Sequence, residues 1–525
     1  MLASSLSSIF AVSEHSGPTT QVDDGIERYR KGDGILRVLD DQGSPIIGAA
    51  VSYRQTTRDF LFGLPPQAPD ESTWSLLKEA GVNYVEMFMS WKLTDDPGFR
   101  GWVDYTFTPS FLKRHGIVLL SGHCLVWMVA SYPDNPAADP MNLPARVTTL
   151  KYEELKKELY DHVYETVSHY KSLIRYWGIN EPFWPYADPF HLTTTQWLEI
   201  VSLSVQAIKA ADPTAKIYMN NLIGDFPTWN YYPIRSMKLL MDKGIDFDAI
   251  GVEVYGEGRS PGVPLDGRDY PVISWVSKRL DQFAELGKPI ILTEIDVASE
   301  PNEKTQAEWL RDFYTMAFAK PYVKAAVWSF MFDNPFLPKA GIFGCQTQDR
   351  YGNCQSGPRP KQAYYALKNL TSSWLTEGDG TTDNQGKIRF RGFGGNYSIT
   401  VNMEGYKAME ATIHVKEQVE NSFEVRLTEE KQETATTTSS EQTLSGSPYA
   451  IALPQMQLYA VAVGATVSLF ATTLAVLAIR RHRSSTLDPS HRRNRFCVKC
   501  GSPLQTGTRF CVKCGTRVER RTLKT

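Results

Sequence analysis

The sequence predicts an α/β protein whose main domain is a (β/α)8 TIM barrel, followed by a small β-sandwich, a single transmembrane helix and a short cysteine-containing tail. Eight short apolar runs alternate with helix-length segments between residue 60 and about residue 370, which is the pattern of eight βα units. Residues 376–427 instead alternate apolar and polar side chains between Gly, Asn and Asp turns, as expected for a small sandwich. The chain has 525 residues, which is room for a barrel of about 250 residues and smaller modules.

The barrel prediction depends on eight candidate strands. They begin at Phe60, Asn83, Ile117, Ile174, Lys216, Asp248, Pro289 and Ala325. Between the third and fourth strands, the segment that starts at Tyr152 has apolar residues at i, i+3 and i+4, the spacing of an amphipathic helix. A doubly wound sheet rarely needs eight such units, so a closed barrel is favoured.

The barrel domain is predicted at residues 34–375. Its first part, residues 34–56, has two alternating stretches around a Gly-Ser-Pro turn, which predicts a β-hairpin that packs on the barrel after it. Residues 1–33 are predicted to be an N-terminal tail or a weak signal, since their apolar stretch has no basic residues before it. After the sandwich at 376–430, residues 431–454 are rich in Thr and Ser and predict a linker.

A membrane-spanning helix is predicted at residues 455–480. The 22 residues from Leu458 to Ile479 contain no charge, and this length spans a hydrocarbon core. Basic residues come directly after it and continue through 481–495, which places this side in the cytoplasm. We therefore expect a single-pass membrane protein with an extracellular barrel and a cytoplasmic C-terminus.

The overall charge does not point to nucleic acid. The formal net charge is −2, from 56 Lys and Arg against 58 Asp and Glu, so no basic field is available for a phosphate backbone. Aromatic residues make up 12% of the chain. They suit stacking on sugar rings, but they also fill cores.

Two glutamates at the ends of apolar strands carry the functional prediction. Glu181 follows Asn180 at the end of the fourth strand, and Glu294 ends the seventh. Burying a carboxylate at a strand end costs desolvation energy, so each is either an ion-pair partner or a working group. Both face the C-terminal rim of the predicted barrel, and two carboxylates facing one substrate are the equipment of a glycoside hydrolase.

Six sequence pieces in register make the barrel resemble glycoside hydrolase family 10, the xylanase family, across roughly residues 34–370. The strand end GHCLVW resembles the family's G-H-x-L-V-W, WGINEP resembles W-D-V-x-N-E, and ILTEIDV resembles I-T-E-L-D. The other three pieces are the opening strand at Phe60, a strand-eight tryptophan at Trp328 and a closing helix from Pro360.

The resemblance implies a retaining glycosidase that acts on a β-linked polysaccharide or oligosaccharide without a catalytic cofactor. Glu181 matches the acid/base position and Glu294 the nucleophile position. Asn180 is expected to donate to the sugar 2-hydroxyl. The predicted substrate-binding residues are Glu86, Trp91, His123, Trp127, Asn180, Asn220, Tyr255 and Trp328.

The chain departs from the family where the glycone sugar normally binds. Met87 and Ser90 stand in place of Asn and Lys, Met128 in place of His, and Glu253-Val254-Tyr255 in place of Q-x-H. These changes favour a substrate other than plain xylan. Tyr255 is nevertheless expected to donate its hydroxyl to Glu294.

The cysteines predict two different sites. Cys345 and Cys354 flank eight loop residues and predict a disulfide in an exported loop. The tail has C-x2-C-x10-C-x2-C spacing and resembles a zinc ribbon at residues 496–518, with structural zinc held by four thiolates. The predicted ligands are Cys497, Cys500, Cys511 and Cys514.

Two classes of function are open on the sequence alone. The first is a membrane-anchored glycosidase, specific for xylan or for another β-linked glycan. The second is a non-catalytic membrane glycan receptor with a cytoplasmic zinc ribbon. The complete glutamate pair favours the enzyme, because a binding protein does not need it. The sandwich resembles carboxypeptidase-regulatory-like modules, which implies a spacer or a weak sugar contact, and the partner of the ribbon is unknown.

Overall fold

A computed structural model describes residues 18–67, 70–129, 143–185, 188–256, 259–260, 262–333, 339–348, 354–356 and 358–430, with the short pairs 495–496 and 503–504. The chain divides into two units, Met1–Gln432 and Glu433–Thr525. In the second unit, β20 (Arg495–Phe496) pairs antiparallel with β21 (Pro503–Leu504).

Eight parallel strands form a closed barrel in the order β10-β3-β4-β5-β6-β7-β8-β9. All eight coincide with predicted strands, so the barrel prediction is confirmed. Most of their residues are buried on both faces, as expected for parallel strands enclosed by helices. Their bounds are β3 Leu61–Leu64, β4 Tyr84–Phe88, β5 Leu119–Val126, β6 Tyr176–Asn180, β7 Lys216–Leu222, β8 Ala249–Tyr255, β9 Ile290–Asp296 and β10 Val323–Trp328.

Helices connect these strands. The helix α7 shows why they begin where they do: the Thr193 hydroxyl accepts from the Gln196 amide at 3.3 Å, and the Gln196 side chain accepts from the Thr193 amide at 2.9 Å, a reciprocal cap. The helices are α1 Pro18–Arg30, α2 Glu71–Glu79, α3 Trp91–Thr94, α4 Pro97–Thr106, α5 Pro109–His115, α6 Tyr152–Tyr170, α7 Thr194–Ala211, α8 Pro233–Asp242, α9 Ile273–Ala284, α10 Glu303–Phe318 and α11 Gln362–Ser373, with a 3-10 turn at Pro227–Trp229.

The β-sandwich is built from both ends of the first unit. One sheet has the order β16-β1-β19 and the other β15-β2-β17-β18. The barrel is therefore inserted between β2 and β15. The strands are β1 Lys31–Asp40, β2 Ala50–Gln55, β15 Glu377–Thr381, β16 Lys387–Phe393, β17 Gly395–Asn402, β18 Met409–Val415 and β19 Glu420–Leu427.

This arrangement corrects the prediction of an N-terminal hairpin within the barrel domain. The strands β1 and β2 do not pair with each other but join opposite sheets, so Leu36, Val38 and Val51 meet in one core with Tyr397 and Ile399. A hairpin alone is marginally stable, whereas two facing sheets bury the apolar side of every strand. Part of the predicted tail is also helical, since α1 covers residues 18–30.

A buried arginine joins the sandwich side of the molecule to the barrel. Arg30 is 1% exposed, and its guanidinium donates to the carbonyl oxygens of Phe318, Lys320 and Val323 at 2.5 to 2.7 Å. It also lies 3.6 Å from the Glu417 carboxylate and over the ring of Phe60. One side chain thus satisfies three barrel carbonyls at this interface.

The loop after the barrel contains four short strands and the predicted disulfide. Cys345 and Cys354 are bonded, so that prediction is confirmed. The short strands pair as β11 with β14 and β12 with β13, and their bounds are β11 Phe343–Gly344, β12 Thr347–Gln348, β13 Cys354–Ser356 and β14 Arg359–Pro360.

Several predictions fall on residues outside those that the structure describes. They are the possible signal within residues 1–17, the linker, the membrane span at 455–480, the basic segment up to residue 494 and the four tail cysteines. Within the described part of the chain, no helix is both long and apolar enough to cross a membrane.

Candidate active site

The two glutamates lie at the carboxyl ends of barrel strands, at the same end of the barrel. Glu181 directly follows β6, and Glu294 lies near the end of β9 beside Glu253 of β8. Asn180, the last residue of β6, is in register with Asn220 of β7. Parallel strands bring these positions together, because every strand of the barrel ends on one rim.

Glu181 is held by its backbone as well as by its side chain. Its φ of 45° is in the left-handed region, which is rare for a residue with a side chain and is found at functional sites. Its amide donates to the carbonyl of Asn220 at 2.8 Å, and the indole of Trp127 donates to Oε2 at 2.7 Å. Its carboxyl is therefore fixed in one position.

The pKa of Glu181 is raised to about 7, chiefly by burial and further by the charge of Glu294. The Trp127 hydrogen bond and the charge of His123 oppose this rise. A carboxylic acid that keeps its proton close to neutral pH can act as a general acid.

The environment of Glu294 lowers the pKa of its carboxyl group, in contrast to that of Glu181. Its Oε2 accepts from the Tyr255 hydroxyl at 2.7 Å, which confirms the predicted contact, and its Oε1 lies 3.0 Å from His123 Nε2. Burial raises the pKa of Glu294, but the His123 contact, the Tyr255 hydrogen bond and the charge of Arg259 together bring it below its usual value. Glu294 is therefore ionised, as a nucleophile must be.

His123 lies among the carboxylates of the site. Its Nδ1 is 3.5 Å from Glu86 Oε1, and its Nε2 is 3.9 Å from Glu253 as well as 3.0 Å from Glu294. Burial alone lowers the pKa of His123, but Glu86, Glu294 and Glu253 raise it to about 9. The imidazolium is thus the positive charge that compensates this cluster.

Glu86 belongs to the same network on its far side. Its Oε2 accepts from the Tyr84 hydroxyl at 2.7 Å, and Ser121 lies 3.4 Å away. Burial raises the pKa of Glu86 to about 7 against the opposing charge of His123. Glu86 therefore positions His123.

Asn220 lies on β7 and connects this strand to β9, the strand that carries Glu294. Its amide nitrogen donates to Glu253 Oε1, and its oxygen accepts from the Thr293 hydroxyl at 2.5 Å. A Cβ on the neighbouring Gly251 would lie 2.4 Å from the Asn220 oxygen, so only glycine leaves room for this bond. Asn220 is fully buried and holds its neighbours in place.

Two tryptophans that the sequence predicts to bind sugar are buried in the core. Trp91 stacks on His162 at 4.5 Å between ring centres, and Trp328 is fully buried with its indole donating to the Ala340 carbonyl at 2.9 Å. Asn180 is also buried: its Nδ2 lies 3.1 Å from His123 Nε2, and its oxygen accepts from the Cys124 amide. Their roles in sugar binding stay predictions.

Three of these side chains have the geometry of a metal site. One ligand atom each from His123, Glu253 and Glu294 lies within 4.8 Å of the others. All three side chains also take part in the hydrogen bonds and charge contacts described above.

The family model "Glycosyl hydrolase family 10" matches residues 89–369, which is more than half of the chain. The chain belongs to glycosyl hydrolase family 10. A second model, "zinc-ribbon domain", matches residues 496–518, the range predicted from the cysteine spacing.

Several known proteins resemble this family 10 chain at low identity. The anti-sigma-I factor RsgI6 of Acetivibrio thermocellus is 25% identical over 406 residues, covering 73% of this chain and 47% of that protein. Endo-1,4-beta-xylanase B of Thermotoga neapolitana is 27% identical over 52% of this chain and 76% of that protein. The crystal structure of xylanase 10B from Thermotoga maritima has a TM-score of 0.44 and 21% identity, covering 60% of this chain and 95% of that one.

The chain thus spans about half the length of the anti-sigma-I factor that it matches.

In this family 10 site, eight of the ten predicted catalytic and substrate-binding residues belong to one connected group: Glu86, His123, Trp127, Asn180, Glu181, Asn220, Tyr255 and Glu294.

Sequence reasoning missed four further members of the site. Inside the barrel, the Tyr84 hydroxyl donates to Glu86, the Tyr218 hydroxyl lies 3.1 Å from His123 Nδ1, and the Ser121 hydroxyl contacts both Tyr84 and Glu86. Alternate positions along β4, β5 and β7 could have identified these three. Arg259 lies 4.7 Å from the Tyr255 ring centre and pairs with Asp296, and no local pattern in its loop points to that contact.

The alkaline limb of the pH profile tests the assignment of Glu181. A general acid with a pKa of about 7 is protonated below pH 7, so kcat/KM should fall as the pH rises through about 7. Since the Trp127 hydrogen bond lowers this pKa, Trp127→Phe should move the limb to higher pH. Tyr105→Phe, at an exposed position, is the control. An unmoved limb in Trp127→Phe would contradict the assignment.

Proposed function

We propose that this protein is a retaining glycoside hydrolase that acts on a β-linked polysaccharide, in the manner of an endo-1,4-β-xylanase. The observation that carries the proposal is that two carboxyl groups on one rim have pKa values shifted in opposite directions, upward for Glu181 and downward for Glu294. Burial keeps the Glu181 carboxyl protonated close to neutral pH and Trp127 holds it in place, while His123 and Tyr255 keep Glu294 as an anion. Separate pKa values for two carboxyl groups mark separate acid and nucleophile roles.

In the proposed reaction, a Glu294 oxygen attacks the anomeric carbon as the bond to the leaving oxygen breaks. Glu181 gives its proton to that oxygen, so the leaving sugar departs as an alcohol and a glycosyl ester remains on Glu294. Glu181, now a carboxylate, takes a proton from water, and the resulting hydroxide replaces Glu294 at the same carbon. Two displacements return the original β configuration.

The His123 imidazolium and the Tyr255 hydroxyl contribute at both steps. They hold the carboxylate oxygens of Glu294 at 3.0 and 2.7 Å, which fixes the direction of attack. They also stabilise Glu294 when it leaves as an anion in the second displacement.

The substrate is proposed to differ from plain xylan. Met87, Ser90 and Met128 replace an amide, an ammonium and an imidazole of the family pattern, and hydrogen bonds of this kind are each worth about 0.5–3 kcal/mol. Several relatives carry the name endo-1,4-beta-xylanase, which supports a β-1,4-linked backbone. The three replacements favour a backbone with other sugars or with side groups.

The test is an activity screen of the full-length protein in detergent. Aryl β-glycosides and β-linked polysaccharides are the substrates, and Glu294→Ala is the control. Hydrolysis of at least one substrate, absent in the control, is expected, with linear xylan well below the best substrate. No turnover across the panel, or turnover that survives Glu294→Ala, would contradict the proposal. A best rate on linear xylan would contradict the substrate part.

A second candidate is a non-catalytic membrane glycan receptor with a cytoplasmic zinc ribbon. The specific support is the similarity to an anti-sigma-I factor across 73% of this chain, which extends beyond the family 10 match. A receptor would bind oligosaccharides with the same affinity in Glu294→Ala and hydrolyse none of them, so the screen above separates the two candidates.

We also propose that one helix at residues 455–480 anchors the barrel outside the cell and leaves the ribbon in the cytoplasm, with Cys497, Cys500, Cys511 and Cys514 holding a structural zinc ion. Protease added to intact cells should remove the barrel and leave a small fragment that carries the ribbon. Protection of the barrel together with loss of the ribbon would reverse this orientation.

A further inference from the structure

An arginine from the loop after β8 lies against the tyrosine that contacts the nucleophile. The guanidinium carbon of Arg259 is 4.7 Å from the centre of the Tyr255 ring, within the range of a cation–π contact. The Tyr255 hydroxyl donates to Glu294 Oε2 at 2.7 Å. Arg259 and Glu294 are therefore connected through one side chain, although the proposed reaction gives Arg259 no role.

A buried carboxylate anchors this arginine. Arg259 pairs with Asp296 Oδ1, and the Asp296 side chain is fully buried. Asp296 is the last residue of β9 and is in register with Tyr255 of β8. The Gly256 amide donates to the Asp296 carbonyl at 3.0 Å, and the Arg259 amide donates to the Gly256 carbonyl at 3.2 Å. Because loss of the guanidinium would leave a buried charge uncompensated, its position is fixed at the ends of both strands.

The Tyr255 hydroxyl has two carboxylates within reach. It is within hydrogen-bonding reach of Glu253 as well as Glu294, and oxygen atoms of these two carboxylates lie within 4.8 Å of each other. A phenol has a single proton to donate, so the orientation of the ring decides which carboxylate receives it. Both Glu253 and Tyr255 depart from the family pattern, so this choice arises in this chain from its own residues.

We propose that Arg259 is a positioning residue for the nucleophile, which holds the Tyr255 ring so that its hydroxyl donates to Glu294 and not to Glu253. The inference rests on the proposed function for the role of Glu294 as nucleophile. Burial raises the pKa of Glu294, and the charge of Arg259 opposes this rise alongside His123 and Tyr255. The contact and the charge of Arg259 thus favour the same state of Glu294.

The first test is the kinetics of Arg259→Met on two classes of substrate. Misplacement of a reacting group by about 1 Å can cost about 10²-fold, so kcat/KM should fall about tenfold or more. The loss should be equal for activated aryl glycosides and for substrates with poor leaving groups, because both need attack by Glu294. A loss confined to poor leaving groups would place the effect on Glu181 and overturn the inference.

The acid limb of the pH profile is a readout that a loss of packing alone would not move. Removing the positive charge of Arg259 raises the pKa of Glu294, so the acid limb of kcat/KM should move to higher pH in Arg259→Met. Arg259→Lys keeps the charge and should restore the limb. An unmoved limb in Arg259→Met would overturn the inference. The ionisable groups around Glu294 are Glu86 of β4, His123 and Cys124 of β5, Glu181 after β6, Glu253 and Tyr255 of β8, and Arg259.

Arg268 offers a matched control. Its guanidinium lies 5.1 Å from the centre of the Tyr270 ring and pairs with Asp266, which are the same two kinds of contact. The Tyr270 hydroxyl, however, contacts backbone carbonyl oxygens. Arg268→Met should therefore stay within about twofold of the wild type, with its acid limb in place. A loss equal to that of Arg259→Met would overturn the inference.

Two double variants separate positioning from folding. Arg259→Met with Asp296→Asn removes the pair without leaving an unpaired buried carboxylate, so the loss of about tenfold should remain. Recovery of wild-type activity would show that Arg259 only neutralises Asp296 and would overturn the inference. In Tyr255→Phe there is no hydroxyl to hold, so adding Arg259→Met should cost less than about threefold at the pH optimum of each variant. A full further tenfold loss would also overturn it.

Chemical labelling of Glu294 tests the inference without hydrolysis. A carbodiimide reacts with a protonated carboxyl group, and an added amine then leaves an amide that peptide mass spectrometry locates. The Glu294 side chain is 24% exposed, so the reagent can reach it. At one acidic pH, full-length Arg259→Met in detergent should be labelled at Glu294 faster than the wild type and Arg268→Met. If the wild type hydrolyses nothing while this difference is seen, the proposed hydrolase fails and the role of Arg259 stands; equal labelling would overturn that role.

Discussion

Alanine in place of Glu294 is expected to abolish turnover of every substrate, by several orders of magnitude, because it removes the carboxylate that forms the glycosyl ester. Alanine in place of Glu181 is expected to act selectively. Substrates with poor leaving groups should slow by about 10²–10⁴-fold, the usual contribution of a general acid. Activated aryl glycosides leave without protonation, so their first step should change little. Steady-state kcat/KM on both classes of substrate measures the difference.

Azide provides the second readout for these variants. With Glu181 removed, the small anion can enter the space of the missing carboxyl and attack the glycosyl ester, giving a β-azido sugar. Rescue by azide in Glu181→Ala, with no such product from Glu294→Ala, would confirm the roles. Equal losses in both variants without rescue would contradict the assignment. Glu181→Gln and Glu294→Gln, which keep the side-chain volume, separate the loss of chemistry from a loss of packing.

Methionine in place of Arg30 is expected to lower the free energy of unfolding by about 3–5 kcal/mol, the cost of removing one partner of a buried charged group. Three barrel carbonyls lose their donor at once, and each unsatisfied buried polar group costs about 1–3 kcal/mol. The Glu417 carboxylate, whose side chain is largely buried, also loses its closest cation. Urea unfolding followed by tryptophan fluorescence measures the change.

A matched control for Arg30 lies on the surface of the sandwich. Arg54 and Glu377 form an ion pair at 3.6 Å with side chains that are 80% and 74% exposed, and such pairs contribute about 0–1 kcal/mol. Arg54→Met should therefore leave the urea transition almost unchanged. Arg30→Lys should recover little, because one ammonium cannot reach three carbonyls. Equal stability of Arg30→Met and Arg54→Met would contradict the role given to Arg30.

The barrel strands could be predicted because the information for each one is local. A run such as PIILTEI is apolar, short and bounded, and its burial on both faces follows from those properties. The positions of Glu181 and Glu294 at strand ends were predictable for the same reason, and their roles were predicted from the resemblance to family 10. The contact of Tyr255 with Glu294 was predictable because the family pattern puts a hydrogen-bonding side chain at that position.

The features that the sequence could not supply depend on partners that are far apart in the chain. The charge on His123 results from Glu86, Glu253 and Glu294 on three other strands. The burial of Trp91 and Trp328 is decided by helix packing around the barrel. The strands β1 and β2 look like a hairpin because each has an alternating pattern, and the pattern says nothing about which strand lies beside it.

The insertion of the barrel between β2 and β15 has a consequence for synthesis on the ribosome. The strand β2 ends at Gln55, and its partner β15 begins at Glu377, so more than 300 residues are made in between. At about 5–20 residues per second, this takes on the order of tens of seconds. During that time β1 and β2 have emerged with open edges, which are templates for pairing with other chains. The barrel should therefore fold first, and nascent chains stopped before residue 377 should recruit chaperones through these two waiting strands.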